Sequence, residues 1–283
     1  MSATQAELWS GPVGRSWVRN ARMYDTILEP LGRAALDRLE PSPGHRVLDI
    51  GCGTGATTLE IGRRVRPGGT VVGVDVSRPM IEFAQARAAD EADADNVEFA
   101  RLDVESDPLP GPFDAAFSRM GVMFFEGPVA GFSAIASALR TGGRFAFVCY
   151  AAPAANPFIT VPTGAALARL GGPPPPPPGG PGPFALADPG YVHSLLESAG
   201  FESVSVSPGP DEVILGPVED LDDIARQALE QNPQAMMAMT ANPGAREDAV
   251  AAAAAALGDH VTDGEVRMGA KTWVVEARSP RST

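Results

Sequence analysis

The chain has 283 residues, 44% of them hydrophobic, and is long enough to bury a full core as one large domain with insertions or as two small domains. Its formal net charge of −13 at pH 7 argues against nucleic acid as a partner, since the sequence contains no run of lysine and arginine that would override the repulsion. Two cysteines, no basic-then-apolar leader and no apolar run of about 18 residues predict a cytoplasmic protein without disulfides or a membrane span.

Residues 1–40 precede the first predicted strand and carry helical patterns. Apolar side chains recur there at helical spacing, and Pro30 and Gly32 predict a break between two helices. We therefore expect a helical N-terminal cap. Either its tryptophans anchor the segment to the core, or Trp17 and Tyr24 fold over a cofactor mouth as part of a lid.

The most informative stretch is residues 47–55, Val-Leu-Asp-Ile-Gly-Cys-Gly-Thr-Gly, which joins a short apolar strand to a helical pattern. Gly51, Gly53 and Gly55 alternate with small side chains. Glycine permits the positive φ angles of a sharp turn and lets a ligand touch the backbone, while the following helix presents free N–H groups and its positive end. A plain turn would not need three alternate glycines, so we expect an anionic group of a cofactor at this loop.

Two cofactors fit the loop. Gly51, Gly53 and Ala56 satisfy the dinucleotide pattern G-x-G-x-x-G/A, which keeps NAD as a candidate. Asp49, together with Gly51, Gly53 and Gly55, instead resembles motif I of the class I S-adenosylmethionine (SAM) methyltransferases, an acid followed by G-x-G-x-G.

A second strand is predicted at residues 70–76 and carries Asp75 near its end. This acid follows Gly55 by about 20 residues, the distance at which a βαβ unit returns beside its first strand. A carboxylate there can accept two hydrogen bonds from a ribose diol. Met80 starts a helix predicted over residues 80–92, where its thioether would either suit the face of adenine or fill the core.

Further strands bring side chains to the same edge of the predicted sheet. Strand 3, at residues 97–104, has Asp103 near its close. This acid is either solvated or, in the methyltransferase pattern, recognises the adenine amino group. The pattern then predicts strand 4, a helix, a glycine turn and strand 5, at residues 113–118, 128–140, 141–143 and 144–150.

Residues 139–148, Leu-Arg-Thr-Gly-Gly-Arg-Phe-Ala-Phe-Val, look like the L-[KR]-P-G-G-x segment that precedes strand 5 in these methyltransferases, with Thr141 in place of the usual proline. Other landmarks occur in the same order as in the family: motif I, the acids that close strands 2 and 3, and the Phe-Asp pair that opens strand 4. We identify the chain as similar to class I SAM-dependent methyltransferases, closest to small-molecule enzymes of the ubiquinone/menaquinone-biosynthesis type. The resemblance is strong over residues 41–150 and weaker beyond them.

The resemblance implies an α/β fold with a Rossmann-like, doubly wound sheet of seven strands, the last one antiparallel. We expect a helical cap or lid at residues 1–40 and a SAM-binding domain at residues 41–283. A later helix, strand 6 and the last strand are expected at residues 191–200, 203–207 and 271–278. Two insertions interrupt the pattern: a helical one at 216–264, and a proline-rich one at 151–187, whose six prolines at 173–178 would form a polyproline II lid over the acceptor pocket.

The function implied by the resemblance is methyl transfer from SAM, by direct displacement, to a small organic acceptor such as a natural product or another secondary metabolite. S-adenosylhomocysteine (SAH) is the product. Holding both reactants in line can account for roughly 7–11 kcal/mol of the barrier. The residues expected to bind SAM are Asp49, Gly51, Cys52, Gly53, Asp75, Val76, Met80, Asp103, Val104 and Ser118.

A proton must leave if the acceptor is a hydroxyl or an ammonium group, and the sequence names no clear base for it. Tyr24 lies in the predicted lid, while Arg119 and Tyr150 lie at strand ends. Arg119 would alternatively hold an acceptor carboxylate or pair with an acid. Among the histidines, His193 on the later helix is the one to test, and no cluster of His, Cys and carboxylates predicts a metal site.

Three alternatives stay open. An NAD(P)-dependent oxidoreductase would be favoured by a Tyr-x-x-x-Lys motif, but the only lysine is Lys271 and Arg267 occupies the tyrosine position. The others are a SAM-fold enzyme that keeps its methyl group and a non-catalytic binding module. We expect a small-molecule acceptor, no nucleic acid or membrane partner, and a monomer or homodimer. The bias towards Ala, Gly, Pro and Arg over Lys is typical of a bacterium with a GC-rich genome.

Overall fold

A mixed sheet organises the chain. The computed structural model describes residues 4–171 and 180–280, and these contain ten strands: β1 (Arg46–Ile50), β2 (Thr70–Asp75), β3 (Val97–Arg101), β4 (Phe113–Arg119), β5 (Leu139–Tyr150), β6 (Glu202–Pro208), β7 (Glu212–Pro217), β8 (Val261–Thr262), β9 (Glu265–Gly269) and β10 (Thr272–Arg278). Within these ranges, seven strands form one sheet in the order β3-β2-β1-β4-β5-β10-β6. Neighbours from β3 to β5 are parallel, whereas β10 is antiparallel to both β5 and β6. The predicted α/β sheet with an antiparallel last strand is confirmed.

Helices complete the layers around this sheet. The described part of the chain contains eleven α-helices: α1 (Gln5–Ser10), α2 (Pro12–Arg19), α3 (Ala21–Leu39), α4 (Ala56–Arg64), α5 (Arg78–Ala89), α6 (Pro128–Ala138), α7 (Pro157–Leu170), α8 (Pro189–Ser198), α9 (Leu221–Gln231), α10 (Pro233–Ala241) and α11 (Arg246–Gly258). Consecutive residues of β1 and β4 are buried, so both faces of the sheet are covered there. This explains why the central strands read as apolar runs in the sequence.

The N-terminal segment differs from the prediction in the number of its helices, since α1, α2 and α3 stand where two were expected, and in where they break. We predicted two helices separated at Pro30 and Gly32, but α3 is continuous through both residues, so that prediction is wrong. Pro30 lies on the exposed side of the helix, while Leu28, Leu31 and other side chains on the opposite side are buried. Burial of this continuous apolar face outweighs the cost of the proline.

Two strand boundaries also shift. Strand 5 begins at Leu139 instead of residue 144, and the predicted turn at 141–143 forms an irregularity inside β5, where the pairing with β4 changes register and Gly142 has φ of 71°. β3 ends at Arg101, so Asp103 lies in the turn after the strand.

The two insertions contain more structure than expected. The segment at 151–187 includes α7, while its proline run at 173–178 lies outside the described residues. The segment at 216–264 contains the predicted helices, as α9 and α11, with α10 between them. It also contributes to a second sheet, which has the order β7-β9-β8 and which sequence reasoning missed.

The described helices include none that is both long and apolar enough to cross a membrane. Across residues 4–171 and 180–280, no group of three or more His, Cys, Asp and Glu side chains is arranged to hold a metal ion. Both cysteines, Cys52 and Cys149, are buried free thiols.

Gly164 in α7 allows a test of how much a helix-interior glycine lowers the stability of the protein. This glycine is exposed, and an added Cβ would meet nothing within 4 Å. We expect Gly164→Ala to raise the free energy of unfolding by about 0.5–1 kcal/mol, because alanine loses less backbone entropy on folding. Urea unfolding measures the change. Gly171→Ala is the matched control. Gly171 is the C-cap of the same helix and has φ of 62°, so alanine there should lower the free energy of unfolding. A stabilised Gly171→Ala variant would contradict this account.

Candidate active site

A cavity of about 430 Å³ lies at the carboxyl ends of the parallel strands. Its lining includes the last residues or following turns of β1 to β5, together with parts of the cap and of the insertions. The volume falls in the usual range of small-molecule sites, roughly 300–1,000 Å³. β1 and β4 are neighbours at the point where the strand order reverses, which is where ligands bind in open α/β sheets.

The glycine loop after β1 forms one wall of the cavity. Gly51 and Gly53 both have positive φ, 64° and 55°. A Cβ on Gly51 would lie 2.9 Å from the Cα of Gly121, so this glycine lets the turns after β1 and β4 touch. A Cβ on Gly53 would meet nothing closer than the Sδ of Met80, at 3.8 Å. The space beside Gly53 is therefore open towards a ligand.

Asp75 lies at the end of β2 and lines the cavity next to this loop. Its Oδ2 accepts a hydrogen bond from the Gly53 N–H at 2.9 Å, and its Oδ1 accepts one from the Ser77 N–H at 2.8 Å. Burial raises the pKa of Asp75, although these two hydrogen bonds act in the opposite direction. The side chain thus fixes the loop and presents a carboxylate at the cavity wall.

Asp49 lies beneath the loop, fully buried at the end of β1. Its Oδ2 accepts hydrogen bonds from the hydroxyls of Thr57 and Thr58, both at 2.7 Å, whereas Oδ1 has no hydrogen-bond partner in the described structure. Burial raises the pKa of Asp49 to about 6, and the threonine hydrogen bonds and the charge of Arg119 oppose the shift. A buried carboxylate with one unpaired oxygen is an unusual feature that a bound cation or donor would satisfy.

The structure brings most of the predicted cofactor residues together. Those that line the cavity are Gly51, Cys52, Gly53, Asp75, Val76, Met80, Asp103 and Val104. Asp49 and Ser118 do not line it: both are fully buried behind the wall, and the Ser118 hydroxyl has no partner in the described part of the chain. Burial raises the pKa of the Cys52 thiol well above its usual value, so this side chain is a neutral contact.

Three of the four catalytic candidates reach the cavity. Tyr24, Arg119 and Tyr150 line it, and burial raises the pKa of both tyrosines. His193 does not line it, which corrects its choice as a candidate. It is exposed on α8, 3.4 Å from Glu197, because the apolar residues of α8 turn its other face into the core.

An array of aromatic rings from the cap covers one side of the cavity. Ring centroids are 4.2 Å apart for Tyr24 and Trp17, 5.9 Å for Trp17 and Trp9, and 5.0 Å for Trp9 and Phe124. Sequence reasoning missed Phe124, although its position shortly after β4 is the signal that places it at the strand edge. The array makes this side of the cavity flat and apolar.

Hydrogen bonds hold the cap against both the sheet edge and the second insertion. The Ser77 hydroxyl donates to the Trp9 carbonyl oxygen at 2.7 Å, and the Tyr24 hydroxyl donates to the Gln227 carbonyl oxygen at 3.3 Å. Glu230 of α9 accepts from the Ser16 hydroxyl at 3.1 Å. The cap therefore bridges the β2–α5 turn and α9.

Asp49 should make stability depend on pH. Its pKa is about 6 in the folded protein against the usual 3.8, so the folded state binds the proton more tightly. Relative to Asp49→Asn, the free energy of unfolding of the wild type should be highest below pH 4. It should fall by about 3 kcal/mol as the pH rises to 6 and change little above pH 6. Urea unfolding of both proteins from pH 4 to pH 8 measures the difference. A constant difference across this range would show that Asp49 titrates normally.

Comparison with known proteins agrees with this geometry. Residues 47–143 match the family model for a methyltransferase domain. Nocamycin O-methyltransferase from Saccharothrix syringae is 38% identical over 132 residues, which is 44% of this chain and 46% of the relative. The ubiquinone/menaquinone biosynthesis C-methyltransferase of Hahella chejuensis is 30% identical over 129 residues, 45% of this chain and 51% of the relative. The chain thus spans about half the length of these relatives.

A solved structure shows the same fold. Phosphoethanolamine N-methyltransferase 2 from Haemonchus contortus, in complex with phosphomonomethylethanolamine and SAH, superposes with a TM-score of 0.58 at 20% identity, over 96% of this chain and 60% of that chain. At this identity the likeness concerns the fold alone. The match makes residues 47–143 similar to a methyltransferase domain, and the sheet order and the glycine loop after β1 agree with that similarity.

Proposed function

We propose that this protein is a SAM-dependent methyltransferase that transfers a methyl group by direct displacement to a small organic acceptor, with SAH as product. The observation that carries the proposal is the carboxylate of Asp75 at the cavity wall, facing a positive-φ glycine loop in a matched methyltransferase domain. The named relatives, one of which acts on a natural product and one on quinone precursors by their names, support a small-molecule acceptor such as a secondary metabolite.

The residues present fit SAM well. Asp75 would accept hydrogen bonds from the ribose hydroxyls, and the buried carboxylate of Asp49 would contribute negative charge from behind the cavity wall without touching the ligand. The open space beside Gly53 leaves room for the ligand to touch the backbone. Met80, Val104 and Asp103 line the cavity where adenine would lie.

When bound, SAM supplies an electrophilic methyl group on a positive sulfur. The part of the chain in contact with it has to orient the two reactants and exclude water, which can contribute roughly 7–11 kcal/mol. The rings of Tyr24, Trp17 and Trp9 cover one side of the cavity and would exclude water there.

Two further proposals concern the protein as a whole. It acts on small molecules in the bacterial cytoplasm, without nucleic acid or membrane partners, and its net charge of −13 without basic runs supports the exclusion of nucleic acid. We also propose that it acts as a monomer or homodimer.

Isothermal titration with SAM, SAH and NAD tests the cofactor. We expect SAM and SAH to bind and NAD to leave no heat signal, because residues 47–143, which include the glycine loop and Asp75, match a methyltransferase domain. SAM carrying a labelled methyl group, incubated with cell extract, should then transfer the label to an organic product. Binding of NAD alone would favour an oxidoreductase, and SAM binding with all label retained on the cofactor would favour a SAM-fold enzyme of another chemistry.

A further inference from the structure

The guanidinium of Arg119 is left largely unpaired at the cavity wall. The side chain is only 13% exposed, and its one ion-pair contact in the described structure is Asp25 Oδ1 at 3.6 Å, too long for a hydrogen bond. A guanidinium carries five N–H donors, and polar groups at this depth are nearly always paired. Because Arg119 lines the cavity, a ligand is the partner that would satisfy these donors.

Arg119 is the only arginine in the described cavity lining, which also carries five carboxylates. Asp25 is already engaged by Arg87, whose Nη1 lies 2.7 Å from Oδ2, so two guanidiniums share one carboxylate. The backbone also makes room for the Arg119 side chain. A Cβ on Gly32 would lie 2.6 Å from the Cδ of Arg119, so the glycine lets the arginine cross α3.

The cavity also lacks a free base. The described lining contains no histidine and no lysine, and its tyrosines hold their protons firmly because burial raises the pKa of each. Its carboxylates already accept hydrogen bonds or ion pairs. Asp75 binds two backbone N–H groups, Glu105 binds those of Glu126 and Gly127, and Glu126 binds that of Gln5. A neutral hydroxyl acceptor would have to pass its proton to one of these engaged carboxylates, whereas an anionic acceptor needs no base.

Flat rings border the same space. Tyr24 and Trp17 lie on the cap side, and Tyr150 packs edge-on against Phe158 of α7, with centroids 5.5 Å apart, on the insertion side. Such walls favour a planar, conjugated framework between them.

Given the proposed methyl transfer, on which this inference rests, we propose that the acceptor is a planar organic acid and that Arg119 binds its anionic oxygen, a carboxylate or an enolate. A lone pair of that oxygen forms the new O–CH3 bond while the C–S bond breaks and its electron pair goes to sulfur. The products are a neutral methyl ester or enol ether and a neutral thioether, and no proton is released. The positive charge on sulfur and the negative charge on the acceptor oxygen both disappear, which the aromatic side of the cavity would favour.

Binding of two matched probes tests the inference. Anthraquinone-2-carboxylate and anthraquinone-2-carboxamide share their shape and differ in charge. With the full chain saturated with SAH at pH 7.5, calorimetry should show at least tenfold tighter binding of the carboxylate. Arg119→Met should abolish this preference, and Arg119→Lys should keep part of it, since lysine retains the charge without the planar fork. Arg22→Met is the matched control: it removes an exposed guanidinium of α3 that does not line the cavity and should keep the preference.

Several results would overturn the inference. Equal or undetectable binding of both probes to the wild type would do so, as would a preference that persists in Arg119→Met. A tenfold loss of SAH affinity in Arg119→Met would assign the arginine to the cofactor instead, and would leave the proposed methyl transfer intact. Absence of SAH and SAM binding to the wild type would refute the methyltransferase proposal itself, which separates the two failures.

Discussion

Replacing Asp75 with alanine should raise the dissociation constant for SAM at least a hundredfold. The proposed ribose contacts are two charge-assisted hydrogen bonds, each contributing roughly 1.5–3 kcal/mol. Their sum of about 3–6 kcal/mol corresponds to two to four orders of magnitude in affinity. The carboxylate lies at the cavity wall, at the end of β2, so no other side chain needs to move for it to act. Isothermal titration with SAM and SAH measures the loss.

The fold should survive this change. Removing the Asp75 carboxylate leaves the N–H groups of Gly53 and Ser77 without their acceptors, which costs about 1–3 kcal/mol for each donor that water does not satisfy. Circular dichroism should therefore show a folded protein with a lower melting temperature. Asp75→Asn keeps one acceptor oxygen and should lose less affinity. Asp90→Ala, at the exposed C-cap of α5, is the charge-matched control and should bind SAM as the wild type does. Unchanged affinity in Asp75→Ala would refute the ribose assignment.

The sheet and the cofactor side of the site were predictable because their signals are local. Parallel strands covered on both faces must be apolar along their whole length, and β1, β2 and β4 carry such runs. The alternating glycines predict the loop after β1, and Asp75 follows at the spacing of one βαβ unit. Each of these inferences needs only residues close together in the sequence.

The rest depended on tertiary contacts that no local pattern reveals. Pro30 signals a break, yet α3 continues because residues on the opposite face of the helix are buried. The sequence pattern did not predict the second sheet, because β8 has only two residues and follows a long alanine-rich helix. Likewise, nothing in the sequence shows that Gly32 leaves room for Arg119, because the two residues meet only in the folded chain.

Replacing Gly51 with alanine should remove SAM binding and a large part of the stability. Gly51 has φ of 64°, where an ordinary residue is strained by about 1–2 kcal/mol. Its new Cβ would also lie 2.9 Å from the Cα of Gly121. The obstacle is backbone, so no rotamer change can relieve it, and overpacking of this kind costs about 1–3 kcal/mol. We expect a total loss of about 2–5 kcal/mol in the free energy of unfolding, measured in urea.

Gly44→Ala separates the two causes of this loss. Gly44 has φ of 85°, but an added Cβ there would meet nothing within 4 Å, so this variant should show the conformational strain without the collision. The extra loss in Gly51→Ala then measures the contact between the turns after β1 and β4. Because that contact forms the floor of the cavity, forcing the turns apart should abolish SAM binding in Gly51→Ala and leave it unchanged in Gly44→Ala. Equal stability losses in the two variants, with SAM still bound by both, would mean that the close approach of these turns does not shape the cofactor site.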